Sequence, residues 1–229
     1  FKRAAAAQKK WAATPFATRL ACIKKFHELV SAEKEELAQT LTAEVGKPIS
    51  QAMNEINGLL PRLEFFIKSA EDSLKDEVVF DDGSMKEIIR HEALGVIANI
   101  SAWNYPYFVG SNVFVPALLT GNTVLYKPSE FATLTGFHID RLLHKAGIPE
   151  DAFITVVGGA EAGKALLGQN IAGVFFTGSY ATGKKIAEVA ASRMIKVQLE
   201  LGGKDPVYIT DDVDVKAVAE GTADGAMYN

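Results

Sequence analysis

The chain has 229 residues, of which 48% are hydrophobic and 23% charged, a composition typical of one large globular domain or of a domain with an appendage. Its formal charge of -4 and the lack of a block rich in lysine and arginine argue against nucleic acid or an anionic membrane as the main partner. No apolar run reaches the roughly 20 residues that span a bilayer, and no signal peptide is expected. The single cysteine, Cys22, excludes an intramolecular disulfide and favours a reducing, cytoplasmic location.

Histidine and cysteine do not form a metal-binding pattern. The four histidines are scattered, and the spacing of His138 and His144 does not place two ligands on one helix face. We therefore predict no metal site. Cys22 has apolar neighbours on an amphipathic helix, which is typical of a small core residue rather than of a nucleophile.

Residues 1–75 are predicted to be helical, since their apolar residues recur at spacings of three and four. The basic start of the chain is interpreted as a solvated helix face. Ser31 is expected to end one helix and to cap the next, which closes at Gly46. A third helix is expected from residue 50 to residue 75, kinked or broken at Pro61.

Residues 77–91 contain two short strand patterns about an Asp-Gly turn, which predicts a β-hairpin. Two strands alone are marginally stable in water. We therefore expect the hairpin to lie against another surface, and a second subunit is one such surface.

From Leu94 onward, strand and helix patterns alternate. Single helices between strands give right-handed crossovers and a parallel sheet covered on both faces, so we predict a doubly wound α/β domain of the nucleotide-binding type. A further strand, residues 206–212, and a helix, residues 213–229, are expected to follow. Ligands bind such sheets at the carboxyl ends of the strands. Polar residues and glycines collect at the five predicted strand ends, which are residues 101–104, 127–130, 158–159, 177–179 and 200–203.

Glu200 lies inside an apolar run that ends on a glycine pair. One interpretation is an alternating strand in which Gln198 and Glu200 face water, whereas Val197, Leu199 and Leu201 pack inward. The other is functional, since a carboxylate among leucines is costly to bury unless it has partners or a task. This stretch alone leaves both interpretations open.

Three further strand ends carry candidate chemistry. In FTGSYATG, the glycines 178 and 183 would allow a diphosphate to approach, and Ser179 with the free N–H groups of the helix start would donate to it; a generic helix cap explains the motif equally well. In YKPSE, Lys127 and Glu130 suit the hydroxyls of an adenosine ribose, although a turn with a surface ion pair is the simpler alternative. In WNYP, Asn104 either donates its amide to a developing oxyanion or caps the next helix.

The aromatic residues after WNYP are equally open. Tyr105, Tyr107 and Phe108 are interpreted either as the lining of a substrate access channel or as core residues.

In their order along the chain, WNYP, KPSE, GGAEAG, FTGS and LELGGKDP resemble the NAD(P)-dependent aldehyde dehydrogenase superfamily, and the resemblance covers essentially the whole chain. It implies that Asn104 is the side-chain half of an oxyanion hole and that Glu200 is the general base that activates water. The implied cofactor contacts are Lys127 and Glu130 at the adenosine ribose, Gly159 and Gly163 at the adenine-side turn, Gly178 and Ser179 at the pyrophosphate, and Ser101, Ala102, Trp103 and Leu201 at the nicotinamide. Ser129 is also counted among the cofactor-binding residues.

The resemblance also implies a domain organisation. Residues 1–75 and 94–203 would form the NAD-binding domain, residues 76–93 an oligomerisation hairpin, and residues 204–229 the start of a catalytic domain. A homodimer or homotetramer is expected. NAD is favoured over NADP, which stays possible, because Glu130 would repel a 2′-phosphate.

By the same resemblance, the reaction is the oxidation of an aldehyde, of unspecified identity, to a carboxylic acid through a cysteine thiohemiacetal and thioester. The presence of Glu200 favours hydrolysis over acyl transfer to coenzyme A. The family's cysteine is expected about five residues beyond Asn229, so the chain is interpreted as an N-terminal half that is inactive by itself. The alternative is a non-catalytic dinucleotide-binding or assembly module of the same fold.

Overall fold

The computed structural model describes residues 1–228. Within them there are eight helices and seven strands, and strands and helices alternate from Val96 to Leu201 as predicted for an α/β domain. The elements are α1 Lys2–Ala13, α2 Phe16–Val45, α3 Ile49–Ser73, β1 Glu77–Asp81, β2 Lys86–Ile89, β3 Val96–Ile100, α4 Pro106–Leu119, β4 Thr123–Lys127, α5 Thr133–Lys145, β5 Phe153–Thr155, α6 Ala160–Leu167, β6 Gly173–Gly178, α7 Tyr180–Ser192, β7 Lys196–Leu201 and α8 Val215–Met227.

The main sheet has five parallel strands in the order β5-β4-β3-β6-β7. The central strand β3 pairs on one side with β4, where Ile100 is opposite Lys127, and on the other with β6, where Ile100 is opposite Phe176. The chain therefore winds outward from β3 in both directions, and the carboxyl ends of β3 and β6 meet where the winding reverses. This topology confirms the predicted doubly wound fold.

Alternate residues of the strands pack into two cores, one on each face of the sheet. From β3, Ile97 packs with helices α2 to α5, whereas Val96, Ala98 and Ile100 pack with α6, α7 and the start of α1. All five residues of β3 and of β4 are buried, as expected for central parallel strands covered on both faces.

The predicted helix break at Ser31 is wrong, because α2 is one helix of 30 residues. No glycine or proline interrupts it, and Lys34 stands where a capping box needs Glu or Gln. The apolar face instead continues across the expected break, with Val30 and Leu37 both buried. The predicted end at Gly46 is confirmed: this residue has φ +76° and donates its N–H to the Thr42 carbonyl at 3.0 Å.

The neighbouring helices α1 and α3 can be compared with their predictions. α3 runs through Pro61 without ending there, so a break at this residue is wrong. α1 has the predicted solvated face, and its other side is packed, since Ala4 and Trp11 are buried and the Trp11 indole donates to the Leu118 carbonyl at 3.0 Å. The basic side chains of α1 occupy its remaining, solvated faces.

The predicted hairpin is confirmed as an antiparallel pair, β1 and β2, that forms a sheet of its own. Its turn is closed by Asp82, whose carboxylate accepts from the N–H groups of Ser84 and Met85, and Gly83 has φ +82°. Every residue of both strands is exposed, and the apolar ones among them are Val78, Val79, Phe80, Ile88 and Ile89.

The predicted strand at residues 206–212 is not formed. Val207, Tyr208 and Ile209 are exposed, and within residues 1–228 no strand lies beside this segment to pair with its backbone. β-branched and aromatic residues favour a strand only where a neighbouring strand completes the hydrogen-bond ladder.

The helix predicted for residues 213–229 is observed as α8, capped by Asp214, whose carboxylate accepts from the Lys216 and Ala217 N–H groups; Asn229 lies outside the described residues. None of the helices described in the chain combines the length and the apolarity needed to cross a bilayer.

Candidate active site

The predicted site residues collect at one edge of the main sheet. Because all five strands are parallel and in register, their carboxyl ends point to the same side. β6 and β7 show this directly, since Thr177 is opposite Glu200 and Gly178 is opposite Leu201. The structure therefore brings the five predicted strand ends to a common rim.

Asn104 lies in the turn between β3 and α4. Its side-chain oxygen accepts the Tyr105 N–H at 3.1 Å, which fixes the direction of the amide group. The N-cap position belongs to Tyr105, which makes no side-chain cap bond, so Asn104 is not the helix cap of the alternative interpretation. Within residues 1–228, the Asn104 amide nitrogen donates to no protein acceptor and is available to a ligand.

The same turn is held from behind by two charged residues that the sequence analysis did not identify. The Lys47 ammonium lies 2.9 Å from the Glu55 carboxylate and donates to the Asn104 main-chain carbonyl at 2.6 Å. The other Glu55 oxygen accepts the N–H groups of Tyr107 at 2.8 Å and Phe108 at 3.2 Å. A carboxylate on α3 thus caps the first turn of α4.

This ion pair is deeply buried. The side chain of Glu55 is 0% exposed and that of Lys47 is 4% exposed. Burial raises the pKa of Glu55, and this effect outweighs the hydrogen bonds from Lys47 and from the Tyr107 and Phe108 N–H groups, which lower it. The Lys47 ammonium also lies 3.7 Å from the centre of the Tyr105 ring.

A signal for Glu55 was present in the sequence. Ala52, Ile56, Leu59 and Leu63 form the buried stripe of α3, and Glu55 lies on this stripe, four residues before Leu59. A carboxylate among core positions needs a partner. Spacing alone could not identify Lys47 as that partner.

At the end of β4, Lys127 and Glu130 lie 3.5 Å apart. The alternative of a surface ion pair is not what the structure contains, because the Lys127 side chain is 6% exposed and only Glu130 is open to solvent. Lys127 also donates to the Pro128 carbonyl at 3.0 Å. The Ser129 hydroxyl accepts the Phe131 N–H at 3.3 Å and so serves the turn itself.

The turn between β6 and α7 is built around Ser179. This residue is the N-cap of α7, and its hydroxyl accepts the Thr182 N–H at 3.3 Å. The other N–H groups of the first helical turn point toward the rim, where an anion would be stabilised.

Close packing of neighbouring side chains also requires glycine at positions 178 and 183 of this turn. A Cβ at Gly183 would overlap the Leu201 side chain, and a Cβ at Gly178 would overlap the ring of Phe176. Packing therefore gives a separate reason for glycine at both positions, with Leu201 of β7 filling the space beside Gly183.

The turn between β5 and α6 is more open. A Cβ at Gly163 would meet nothing within 4 Å, and one at Gly159 would meet only the Glu130 carboxylate at 3.9 Å. Gly158 has φ +146°, a backbone conformation that other residues rarely adopt. The predicted adenine-side turn thus borders free space next to Glu130.

β7 has the alternation that the simpler interpretation of Glu200 required. Leu199 and Leu201 pack against the core beneath α6 and α7, whereas Gln198 and Glu200 are exposed. Val197 departs from that interpretation, since it is 43% exposed rather than packed inward. In the described chain, the Glu200 carboxylate has no hydrogen-bond partner, and the residue is exposed at the end of β7.

The remaining predicted site residues, 101–103, follow directly after β3. Ser101 is buried, Ala102 is half-buried, and Trp103 is exposed. The Tyr126 hydroxyl of neighbouring β4 is buried beside the Ser101 hydroxyl, and burial raises the pKa of this phenol by more than the interaction with Ser101 lowers it. The buried hydroxyls at the ends of β3 and β4 therefore interact with each other.

Two clefts flank the Asn104 turn. One of about 260 Å³ is lined by Lys47, Gln51, Trp103 and Asn104, and another of about 300 Å³ is lined by Tyr105, Phe108 and Glu55. Tyr107 is instead a core residue, with its hydroxyl bonded to the Leu37 carbonyl, so the access-channel interpretation is wrong for this residue.

Cys22 is confirmed as a core residue of α2. Burial raises the pKa of its thiol. It lies in the helical core rather than among the residues of the strand-end rim, and a raised pKa disfavours the thiolate that a nucleophile needs.

The comparison that decides the family is a match over residues 1–229 to the model named "Aldehyde dehydrogenase family". The chain belongs to the aldehyde dehydrogenase family. Among curated aldehyde dehydrogenases, the N-succinylglutamate 5-semialdehyde dehydrogenase of Klebsiella pneumoniae is 37% identical over 220 residues, which are 95% of this chain and 44% of that protein.

Solved aldehyde dehydrogenases agree with this assignment. The NAD-dependent aldehyde dehydrogenase of Sinorhizobium meliloti is 36% identical, with a TM-score of 0.92 over 100% of this chain and 47% of that one. PnpE in complex with nicotinamide adenine dinucleotide is 30% identical, with a TM-score of 0.92 over 99% of this chain and 47% of that one. The chain thus spans about half the length of the aldehyde dehydrogenases it matches and corresponds to their N-terminal half.

Proposed function

We propose that the complete protein containing this chain oxidises an aldehyde to a carboxylic acid with NAD as hydride acceptor. The observation that carries the proposal is the Asn104 turn. Its amide is oriented by the Tyr105 N–H and left without a protein acceptor at the rim, as an oxyanion donor must be. Membership of the aldehyde dehydrogenase family supports the reaction class.

The residues at the rim fit a dinucleotide. The free N–H groups of α7 with Ser179 suit a diphosphate, and Lys127 with Glu130 suits the hydroxyls of the adenosine ribose beside the open Gly159 turn. Ser101, Ala102, Trp103 and Leu201 are proposed to line the nicotinamide, and Ser129, Gly163 and Gly178 to complete the adenosine and diphosphate contacts. The bound nicotinamide would supply the hydride acceptor.

This chain would contribute two groups to the reaction. Asn104 donates its amide N–H to the oxyanion that forms when a thiolate attacks the aldehyde carbonyl. Glu200, exposed and without a partner among residues 1–228, removes a proton from the water that hydrolyses the resulting thioester. Hydrolysis rather than acyl transfer to coenzyme A follows from having this carboxylate.

The nucleophile has to come from outside the chain. Cys22 is the only cysteine in the sequence, and it is buried in the helical core with a raised pKa. The isolated chain is therefore proposed to be inactive toward aldehydes. NADH formation by purified protein of 24.7 kDa would contradict this.

Assembly and location complete the proposal. The hairpin of residues 76–93 is proposed to pair subunits into a homodimer or homotetramer, since its strands expose apolar side chains on a sheet without a core. Residues 204–229 are proposed to begin a second domain. The single buried cysteine fits a reducing compartment such as the cytoplasm.

Glu200→Gln in the complete enzyme tests the mechanism. The variant should release one equivalent of NADH per site in a burst and then stall, because hydride transfer precedes hydrolysis and only hydrolysis needs the base. Stopped-flow absorbance of NADH measures both phases.

Glu188→Gln, the same change at an exposed carboxylate of α7, is the control and should turn over at the wild-type rate. If Glu200→Gln also keeps the wild-type steady rate, Glu200 is only the solvent-facing residue of an alternating strand.

A further inference from the structure

Lys47 is saturated with partners that all belong to the Asn104 turn or to its support. An ammonium has three N–H donors. In this structure they face the Glu55 carboxylate at 2.9 Å, the Asn104 carbonyl at 2.6 Å and the Tyr105 ring, whose centre is 3.7 Å away. Two of these three contacts are with the residues that carry and orient the Asn104 amide.

Glu55 supplies what α4 lacks. The helix starts with Pro106 and has no side-chain cap of its own, which leaves its first N–H groups without local partners. One Glu55 oxygen accepts two of them, from Tyr107 and Phe108. The negative charge also lies at the positive end of the helix dipole.

The burial of this pair needs a reason beyond stability. Two charges that are 0% and 4% exposed incur a large desolvation penalty, and buried ion pairs are often no more stabilising than apolar residues of the same volume. Their common feature is geometric. Lys47 fixes the carbonyl side of residue 104, and Glu55 fixes the helix that begins two residues later.

We propose that Lys47 and Glu55 are positioning residues that hold the Asn104 amide at the angle an oxyanion requires. The proposal rests on the proposed function of Asn104. It adds a device that spans 57 residues of sequence, from the turn before α3 to the turn after β3. A displacement of about 1 Å at a catalytic group can cost 10²-fold in rate, so such support has a measurable effect.

The test uses the complete enzyme with Lys47→Met and Glu55→Gln combined, which removes both charges together and avoids leaving one buried charge unpaired. The amide oxygen introduced by Glu55→Gln still accepts from α4, whereas the Asn104 carbonyl loses its donor. We expect kcat to fall about tenfold or more, with an unchanged KM for NAD. Adding Asn104→Ala to this variant should lower kcat no further than Asn104→Ala alone, because the pair acts only through Asn104.

Two further variants separate positioning from general damage. Lys47→Gln with Glu55→Gln keeps a neutral donor near the Asn104 carbonyl and should recover about fivefold in kcat, the effect of one neutral hydrogen bond. Lys68→Met with Glu64→Gln makes the same changes at an exposed pair on α3 and should leave kcat at the wild-type value.

The outcomes are distinct. If Asn104→Ala lowers kcat but the Lys47 and Glu55 variants do not, or if their losses multiply with that of Asn104→Ala, the positioning inference is wrong and the proposed function stands. If Asn104→Ala leaves kcat unchanged, the proposed role of Asn104 fails and the inference with it. Loss of folding in both double variants, seen as a missing thermal transition, would assign the pair to stability and overturn the proposal.

Discussion

Lys127 and Glu130 belong to one turn but differ in their surroundings. The Lys127 side chain is 6% exposed, held by the Pro128 carbonyl, whereas half of Glu130 is in solvent beside the open Gly159 turn. The lysine is therefore fixed, and the carboxylate is the group that can respond to the cofactor. In the proposed NAD site, this asymmetry makes Glu130 the residue that distinguishes a ribose hydroxyl from a phosphate.

Glu130→Gln in the complete enzyme should lower the KM for NADP relative to that for NAD by about tenfold, because it removes one repulsive charge pair at hydrogen-bond distance. Steady-state kinetics with both cofactors measures the ratio. Glu188→Gln, at an exposed carboxylate of α7 outside the proposed cofactor contacts, is the matched control. An unchanged KM ratio in Glu130→Gln would place the 2′-hydroxyl contact elsewhere.

The sequence alone left two roles for Asn104, because asparagine both caps helices and donates to ligands. The structure narrows this choice, since its oxygen is bonded to the Tyr105 N–H and the helix is capped by a carboxylate from α3. Lys47 could not be linked to this turn from sequence. Its contact depends on how α3 lies against α4, which no local pattern encodes.

At the scale of elements, α5 carries two histidines with opposite expected pH dependence. The His144 ring lies between two acceptors: one nitrogen is 2.9 Å from the Ile148 carbonyl and the other 3.4 Å from the Asp140 carboxylate. The bond to Asp140 raises the pKa of His144, since only the imidazolium donates to both. Burial, aided by the Arg141 charge, lowers the pKa of His138.

The direction of each pH dependence follows from the difference in the histidine pKa between the folded and the unfolded state. A raised folded-state pKa means that the His144 contribution to stability is fully present below the unfolded pKa of about 6.5 and is lost as pH rises through the folded value. Wild type should exceed His144→Gln in stability by on the order of 0.5–1 kcal/mol at pH 5.5, a modest value because the His144–Asp140 pair is partly exposed. The difference should be smaller at pH 8.5.

For His138→Gln the trend should reverse, with wild type losing its relative stability as pH falls. Urea unfolding of both variants at the two pH values measures the slopes. Parallel slopes for the two variants would contradict the assigned environments.

Element boundaries were predictable where a residue type dictates the backbone. Gly46 ends α2 because it adopts φ +76°, and Gly83 turns the hairpin at φ +82°. The helix does not break at Ser31, because this residue offers only a weak cap and the buried face continues from Val30 to Leu37. The strand predicted at residues 206–212 does not form, because strand propensity alone does not supply the neighbouring strand with which it would pair.

At the scale of the whole molecule, the order of strands in the sheet was not predictable, whereas its parallel, doubly wound character was. Alternation of strands and helices requires crossovers, but neither pattern nor spacing says that β3 is central and β7 an edge. Parallel geometry alone was enough to place Asn104 and Glu200 on one rim. Their catalytic roles remain predictions.

The hairpin strands expose apolar side chains that no other part of the described chain covers. Val78 and Ile88 are cross-strand partners and are 52% and 42% exposed, on a sheet of two strands that has no core. Such a surface is suited to the subunit pairing proposed above.

Val78→Lys with Ile88→Lys should therefore convert the proposed oligomer of the complete protein to a smaller species, as measured by sedimentation velocity. Lysine at the exposed Val215 of α8 is the control and should leave the sedimentation coefficient unchanged. An unaltered oligomer in the hairpin variant would move the subunit interface elsewhere.

The burial of Cys22 has a practical consequence. Its thiol is enclosed in the helical core, and the raised pKa keeps it protonated near neutral pH, so maleimide reagents should not reach it in the folded chain. Cysteines introduced together at Val79 of the hairpin and at Val215 of α8, both exposed positions, would then be the reactive thiols of this chain. Fluorophores attached at these two positions would report distances between the hairpin and α8 without any need to remove the native cysteine.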